Sequence, residues 1–464
     1  NSVFRERTSL FMQKKNFSLS ANPARVIAGS FLGVIITGTL LLMLPLSAKN
    51  GAVTNFFDAL FTATSATCVT GLIVVDTYTH WTFFGQGVIL SLIQIGGLGL
   101  VTLTLFFNLL IRRKLGLRTL QLAQESTSAS NFEDTPRLLR GIVGISLTVE
   151  AIGAVLLLPA FVPKYGMEGI FISVFTSVSA FCNAGFDLLG REGPYSSLIH
   201  YNGSYVLLVV SALIIIGGLG FMVLFDLLHY HKSKKLRLHS RVVLLSTACL
   251  LFIGTLGFAA LEWHNPATMG NLPVWQKLNA AFFQSVSTRT AGFNSIDIAS
   301  MNEISKVLSI GLMFIGAAPG STGGGIKVTT IVVLIMTAVS VARGYDDTII
   351  MKHKIKRQVV NKSLTVVFIG FLAVLLASGV IIYTTHDGGV TASTVDALFE
   401  STSAFATVGL SSGITAIANL PSKLLLIATM FLGRIGPISF LLSLAAGSGK
   451  VNRKQVMPEG HLNV

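Results

Sequence analysis

Four stretches of this 464-residue chain read as copies of one another: FTATSATCVTG (61–71), FTSVSAFCNAG (175–185), FFQSVSTRTAG (282–292) and FESTSAFATVG (399–409). They align without a gap, and Leu or Phe follows every terminal glycine (Leu72, Phe186, Phe293, Leu410). The glycines lie 114, 107 and 117 residues apart. Self-similarity at a near-constant period constrains architecture more than any single motif. In an apolar chain, a unit used four times predicts four equivalent elements around one axis. A hole along such an axis is a pore.

The chain is 52% apolar and only 12% charged, with a mean hydropathy of +0.71. Soluble domains carry about 25% charged residues, so the composition points to an integral membrane protein. Each quarter has the same layout. A first apolar span comes at about 25–46, 138–162, 241–262 and 359–384, followed by the repeated stretch. A second span follows at about 85–111, 203–228, 304–342 and 422–447. About 20 apolar residues are needed to cross the hydrocarbon, and all eight qualify. The ten residues before each repeated glycine are too few. They are expected to enter the membrane as a half-helix and return as extended backbone, which is tolerated only inside protein or along a water-filled cavity. The expected fold is all-α and membrane-integral: four helix–pore helix–helix repeats (about 25–111, 138–228, 241–342 and 359–447), eight transmembrane spans, a pseudo-fourfold pore and one membrane domain over 1–464.

Charge placement sets the orientation. Of the 34 Lys and Arg, 25 fall in 5–25, 112–140, 232–241, 343–362 and 450–454. Cytoplasmic loops carry such an excess. The clusters are therefore read as cytoplasmic, with both termini on that side of a multi-pass cell-membrane protein. Basic loops so placed meet anionic lipid, and they explain the net charge of +14 without nucleic acid. Three cysteines make no disulfide framework. Cys68 and Cys182 share a column of the repeat, which suits a small residue in a tight place.

Glycine reaches backbone angles closed to other residues, and a strand whose carbonyls all face one axis needs that freedom. Four such strands make rings of oxygens that replace the hydration shell of an ion. Half-helix C-termini carry partial negative charge and favour a cation. The candidate filter is Val69, Thr70 and Gly71; Asn183, Ala184 and Gly185; Thr290, Ala291 and Gly292; and Thr407, Val408 and Gly409. It suits a dehydrated monovalent cation held by carbonyls.

The second spans share a further break: IGGLG (95–99), IGGLG (216–220), IGAAPG (315–320) and LGRIG (432–436). In the third copy, Gly316, Ala317, Ala318, Pro319, Gly320, Ser321, Thr322, Gly323, Gly324 and Gly325 cannot continue a helix comfortably. They are read as an irregular loop below the filter, placed to gate it. A phosphate-binding P-loop needs Gly-Lys-Ser/Thr at its end, and here Ile326 follows Gly325. Arg434 occupies the break of the fourth copy, and a cation within a span is a functional residue by default. It is expected to donate to the loop carbonyls and to raise a barrier to cations. Arg289, three residues before Gly292, is expected behind the filter, facing an acid such as Asp297 or Glu262. Lys327 could equally snorkel to the cytoplasmic surface. Glu150 and Glu262 are expected to be paired within the bundle.

These residues resemble the Trk/Ktr/HKT superfamily of potassium transporters, over essentially the whole chain. The four glycine-ended repeats, FFQSVSTRTAGFNSID, STGGGIK and GRIGP carry the resemblance. The short N-terminus and eight spans look more like the ion-translocating Ktr membrane subunit. The resemblance implies a homodimer on a cytosolic ring of nucleotide-binding regulatory subunits. It also makes 316–325 the intramembrane gating loop and Arg434 its partner. It points to K+, because Gly71 stands where some sodium-favouring relatives have Ser. The four strands differ among themselves, which is compatible with some passage of, or dependence on, Na+.

A second reading is an alternating-access cation/sodium symporter. Such folds show two inverted repeats with two broken helices, against four parallel copies here. An enzyme is not expected. The chain shows no metal-ligand spacing, nucleophile–base pair or phosphate loop, and no cofactor beyond the transported ion.

Overall fold

The computed structural model describes residues 23–99, 135–193, 195–387, 393–437 and 439–441. All but the last three residues of the 5–25 cluster, the 450–454 cluster, most of 112–140, and the distal parts of the expected second spans of the first and fourth quarters lie outside these residues.

The described residues are mostly helical, and in each quarter a long helix is followed by a short one. In the first, helix α1 (Pro23–Leu42) precedes a short helix α2 (Phe56–Thr67), a single turn α3 (Thr77–His80) and α4 (Phe83–Leu98). The second has α5 (Thr135–Tyr165), α6 (Glu168–Phe181), α7 (Val206–Leu219) and α8 (Phe221–Ser233). The third has α9 (Leu238–Glu262), α10 (Val274–Ser287), α11 (Glu303–Phe314) and α12 (Val328–Ala342). A two-residue hairpin, β1 (Ile349–Ile350) with β2 (His353–Lys354), leads to α13 (Arg357–Asp387), α14 (Thr394–Ala406) and α15 (Leu420–Ile435).

Among the described residues, four helices are long and apolar enough to cross a membrane, Arg25–Leu42, Leu139–Tyr165, Leu238–Glu262 and Arg357–Thr385, and a fifth is added if the bent pair Val206–Leu219 and Phe221–Lys232 is taken as one span. Their outward residues are apolar and exposed, among them Leu40, Val155, Phe252 and Phe368, as lipid-facing surface must be. Where they are described, the segments expected as second spans are not continuous helices. α7 and α8 meet at 99°, with Gly220 at φ 87° and the Pro319 carbonyl oxygen 2.7 Å from where its Cβ would stand. In the third quarter, irregular backbone separates α11 from α12. α4 and α15 stop at Gly99 (φ 81°) and Gly436 (φ 91°).

The short helices α2, α6, α10 and α14 are buried at the centre, with Phe61, Phe175, Phe283 and Phe399 fully covered. One apolar cluster joins the first two quarters and reaches Phe283 and Phe293 of the third. Another joins the third and fourth. A third packs Phe61, Cys68 and Leu72 against Ala404 and Met430 of the fourth. The core thus closes on itself around the short helices.

Candidate functional site

Each short helix ends in the same way. The residue two before the glycine is left-handed in all four: Val69 (φ 57°), Asn183 (59°), Thr290 (66°) and Thr407 (51°). The glycines follow at φ 94°, 70°, 79° and 93° for Gly71, Gly185, Gly292 and Gly409. A β-branched residue with positive φ is a genuine outlier, and costs of about 1–3 kcal/mol persist only where the surroundings over-determine them. Here the intervening N–H turns back onto the short helix. Thr70 N donates to Ser65 O (2.8 Å), Ala184 N to Ser179 O (2.7 Å), Ala291 N to Ser287 O (3.0 Å) and Val408 N to Ser403 O (2.8 Å). Serine hydroxyls complete the turn by accepting from Gly71 N (3.1 Å) and Gly409 N (3.0 Å).

The four glycines form a closed ring in chain order. A Cβ on Gly71 would stand 2.5 Å from Ala184 O, on Gly185 2.8 Å from Ala291 O, on Gly292 2.5 Å from Val408 O, and on Gly409 2.1 Å from Thr70 O. With the N–H groups turned back, the carbonyls have no donors. None of the backbone oxygens of Val69, Thr70, Gly71, Asn183, Ala184, Gly185, Thr290, Ala291, Gly292, Thr407, Val408 or Gly409 accepts a hydrogen bond among the described residues, yet all twelve residues are buried. Buried carbonyls are nearly always paired, which makes this ring the candidate site.

A cavity of about 210 Å³ opens above the ring, lined by the four glycines and by Asp76, Asp187 and Asp297. Asp187 lies beyond the ring and outside the apolar helices. Its burial raises the carboxyl to about 6, and the neighbouring Asp76 adds to the rise.

Below the ring runs the irregular segment, from Ile315 to Lys327. Gly316 N donates to Ile326 O (2.8 Å), Ala318 N to Gly218 O (3.1 Å), Thr322 N to Gly217 O (3.3 Å) and Gly325 N to Gly433 O (3.3 Å), while Gly320 O accepts from Phe221 N (2.9 Å). Gly320 and Gly325 take φ 67° and 66°. Successive residues meet successive repeats. Thr322 contacts the Asn183 side chain, and the missing side chains of Gly323 and Gly324 leave room for the Thr290 and Thr407 hydroxyls. Arg434 donates to Thr322 O and to Gly96 O, with Gly97 O at 3.5 Å. Lys327 does not snorkel to the surface: its Nζ donates to Gly323 O (2.8 Å) and Gly324 O (3.4 Å), four and three residues back.

The seams between quarters trade volume. A Cβ on Gly97 would collide with Cys182 Sγ at 2.6 Å, and one on Gly325 would touch Ala406 at 3.0 Å. At the second-to-third seam the large residue is Arg289, which lines a small void with Gly218 and Ala317. Arg289 takes no acidic partner among the described residues, and its buried Nε has no hydrogen bond. Glu262 is instead occupied by Asn265 (2.7 Å), Thr268 (2.6 Å) and Asn302 N (2.9 Å). Asp297 takes Ala299 N (3.1 Å) and Ser300 (2.5 Å). Glu150 accepts from Gln94 at 3.1 and 3.2 Å.

Among the described residues, two seams are joined by ion pairs with buried or half-buried partners. Lys306 of the third quarter meets Asp396 of the fourth at 2.8 Å, and Lys423 of the fourth meets Asp58 of the first at 2.8 Å. Both acids stand thirteen residues before their glycine and both lysines fourteen after, a register the sequence contains but composition does not advertise. Breaking a buried pair leaves an uncompensated charge and costs about 3–5 kcal/mol, less where one partner is partly exposed. Lys306→Met is therefore expected to lower the melting temperature of the solubilised protein by several degrees, and Lys306→Met/Asp396→Asn to recover most of that loss. Equal melting temperatures for Lys306→Met and the parent protein would show that the pair does not hold the seam.

Comparison with known proteins agrees with this architecture. The TrkH cation transport protein family model matches residues 6–454. The chain is 40% identical to the Ktr system potassium uptake protein B of Bacillus subtilis, over 91% of this chain and 93% of that one. It is 37% identical to the potassium/sodium uptake protein NtpJ of Enterococcus hirae, over 97% and 98%. Its fold matches the crystal structure of the potassium transporter TrkH from Vibrio parahaemolyticus with a TM-score of 0.69 at 20% identity, covering 94% and 87% of the two chains. A helical bundle built on a ring of four glycines, with these relatives along its whole length, is a transport protein and not an enzyme, and the chain belongs to the TrkH family of cation transport proteins.

Proposed function

We propose that the chain is the ion-translocating subunit of a bacterial potassium uptake system, with K+ passing through the ring of Gly71, Gly185, Gly292 and Gly409. The observation that carries this reading is the set of buried carbonyls without donors, which suits a dehydrated monovalent cation. The carboxylates above the ring raise the local cation concentration. The inside-negative potential adds about 2.3 kcal/mol per charge per 100 mV, enough to drive accumulation without a second ion.

The loop at 316–325 closes the path from below, held by Arg434 and Lys327. Four helix–pore helix–helix repeats with both termini cytoplasmic fit the cell membrane, and α8, bent away from α7, then forms the lower half of the second repeat. Three relatives are named as members of a Ktr system, which favours a partner subunit; the form proposed for it is a cytosolic nucleotide-binding ring beneath a homodimer of this chain. NtpJ, named for potassium and sodium, keeps Na+ in the reading as a second transported or activating ion.

The test is growth and rubidium uptake in cells lacking their own potassium uptake, with and without a cytosolic regulatory subunit, at an external pH where Asp187 is charged. Rescue at low potassium that increases with the subunit is the expected result. No rescue in either case, with the protein present in the membrane, would overturn potassium as the ion.

A further inference from the structure

Among the residues two before the glycines, Asn183 alone has a side chain that hydrogen-bonds in both directions. Its Nδ2 donates to Thr290 Oγ1 at 3.3 Å and lies 3.5 Å from Arg289 O. Its Oδ1 stands 3.2 Å from the Thr322 hydroxyl, which also lies 3.1 Å from Phe181 O. One hydroxyl proton serves both acceptors. Asn183, Thr290 and Thr322 are all buried. The same Thr322 gives its N–H to Gly217 O and receives Arg434 on its carbonyl. Three of its groups are thus fixed by two other repeats, the second through Gly217, Asn183 and Phe181 and the fourth through Arg434, and among the described residues its hydroxyl makes the only hydrogen bond between the loop and a side chain of the glycine-ended strands.

We propose that Asn183 couples the loop to the ring, as a positioning residue for ion selection. This rests on the filter and gate reading above. With the loop in place, the Thr322 hydroxyl holds the Asn183 amide so that its nitrogen reaches across to Thr290 and ties the lower ends of the second and third strands together. When the loop withdraws, the amide loses its donor. A buried oxygen without a donor is costly, so the amide turns and the tie to Thr290 loosens. Loop position and the shape of the lower ring are then one equilibrium. Linkage makes the effect reciprocal: changing Asn183 shifts the loop, and changing Thr322 shifts selectivity.

Four variants test this in rubidium uptake without the regulatory subunit, each also assayed for rubidium against sodium: Asn183→Ala, Thr322→Val, the double variant, and Thr322→Ser, which keeps the hydroxyl. Allosteric couplings of ordinary size correspond to about fivefold or more. Asn183→Ala and Thr322→Val are each expected to raise subunit-independent uptake and to lower rubidium preference by about that factor. The double variant should do no more than the larger single one, because both remove the same contact, and Thr322→Ser should match the parent. Effects that multiply in the double variant, or a Thr322→Val protein with unchanged selectivity, would overturn the coupling. Arg434→Gln, run alongside, separates the two levels. If it raises uptake while Asn183→Ala does not, the gate stands and the coupling fails. If neither changes uptake, the gate reading fails with it.

Discussion

Serine at position 409 is expected to abolish most of the protein's discrimination between potassium and sodium. The added Cβ would stand 2.1 Å from Thr70 O and 2.9 Å from the Gly71 Cα. Both obstacles are backbone, so no side chain can swing away. The position also needs φ 93°, where a side chain carries strain of about 1–3 kcal/mol. The only relief is movement of the first strand, which carries the carbonyls of Val69, Thr70 and Gly71. If about 2 kcal/mol of this falls on the potassium-occupied geometry, discrimination drops by about 30-fold at 1.4 kcal/mol per factor of ten.

The same contact is 2.5 Å at Gly71 and Gly292 and 2.8 Å at Gly185. The expected order of damage for the four Gly→Ser variants is therefore Gly409 first and Gly185 last. The measurement is rubidium uptake in rising sodium, normalised to the amount of protein in the membrane. Four silent variants would remove the ring as the selecting element. An equal loss at all four would keep the ring and discard the steric argument for their ranking.

Much of this site is legible in the sequence because glycine marks its own position. Gly71, Gly185, Gly292 and Gly409 stand out once the copies are laid in register, and 316–325 stands out because no helix tolerates its composition. What stays hidden is geometry that ordinary residues adopt under constraint. Val69, Thr290 and Thr407 are β-branched, and nothing in their identity announces a left-handed backbone; only the closed ring forces it. The second spans read as continuous because hydropathy carries no record of direction. The 99° bend falls at Gly220, with Pro319 and Gly320 packed against it.

Charges mislead for a related reason. Sequence suggests an acidic partner for Arg289, but its seam compensates by size, with Gly218 and Ala317 facing it. Lys327 looks free to reach the surface, yet a lysine three to four residues after bare loop carbonyls has nearer acceptors. The donors of Arg434 reach Gly96, 338 residues away in sequence, a contact that only the closure of fourth quarter on first can create.

That closure makes Arg434 the residue whose loss should most affect flux. Its guanidinium bridges Thr322 O of the loop and Gly96 O of the first quarter, and hydrogen bonds to a charged group contribute about 1.5–3 kcal/mol each. Glutamine is shorter, neutral and unable to span both oxygens. Arg434→Gln thus loses the bridge and removes a positive charge from beneath the ring, and both effects favour conduction. A loop withdrawn in one molecule of a hundred comes to near parity when its closed state loses about 3 kcal/mol. The expected result is a rise in subunit-independent rubidium uptake of about 10- to 50-fold. Lys327→Met should act in the same direction but less, because its ammonium grips the loop only from within the same segment. Stability should fall in parallel, since the buried oxygens of Thr322 and Gly96 lose their donor. A protein that melts lower but conducts no faster would show that Arg434 braces the bundle without closing it. Faster conduction with unchanged melting would place its effect in the charge rather than in the bridge. Arg434→Lys separates these two terms, because it keeps the charge and gives up the two-pronged reach.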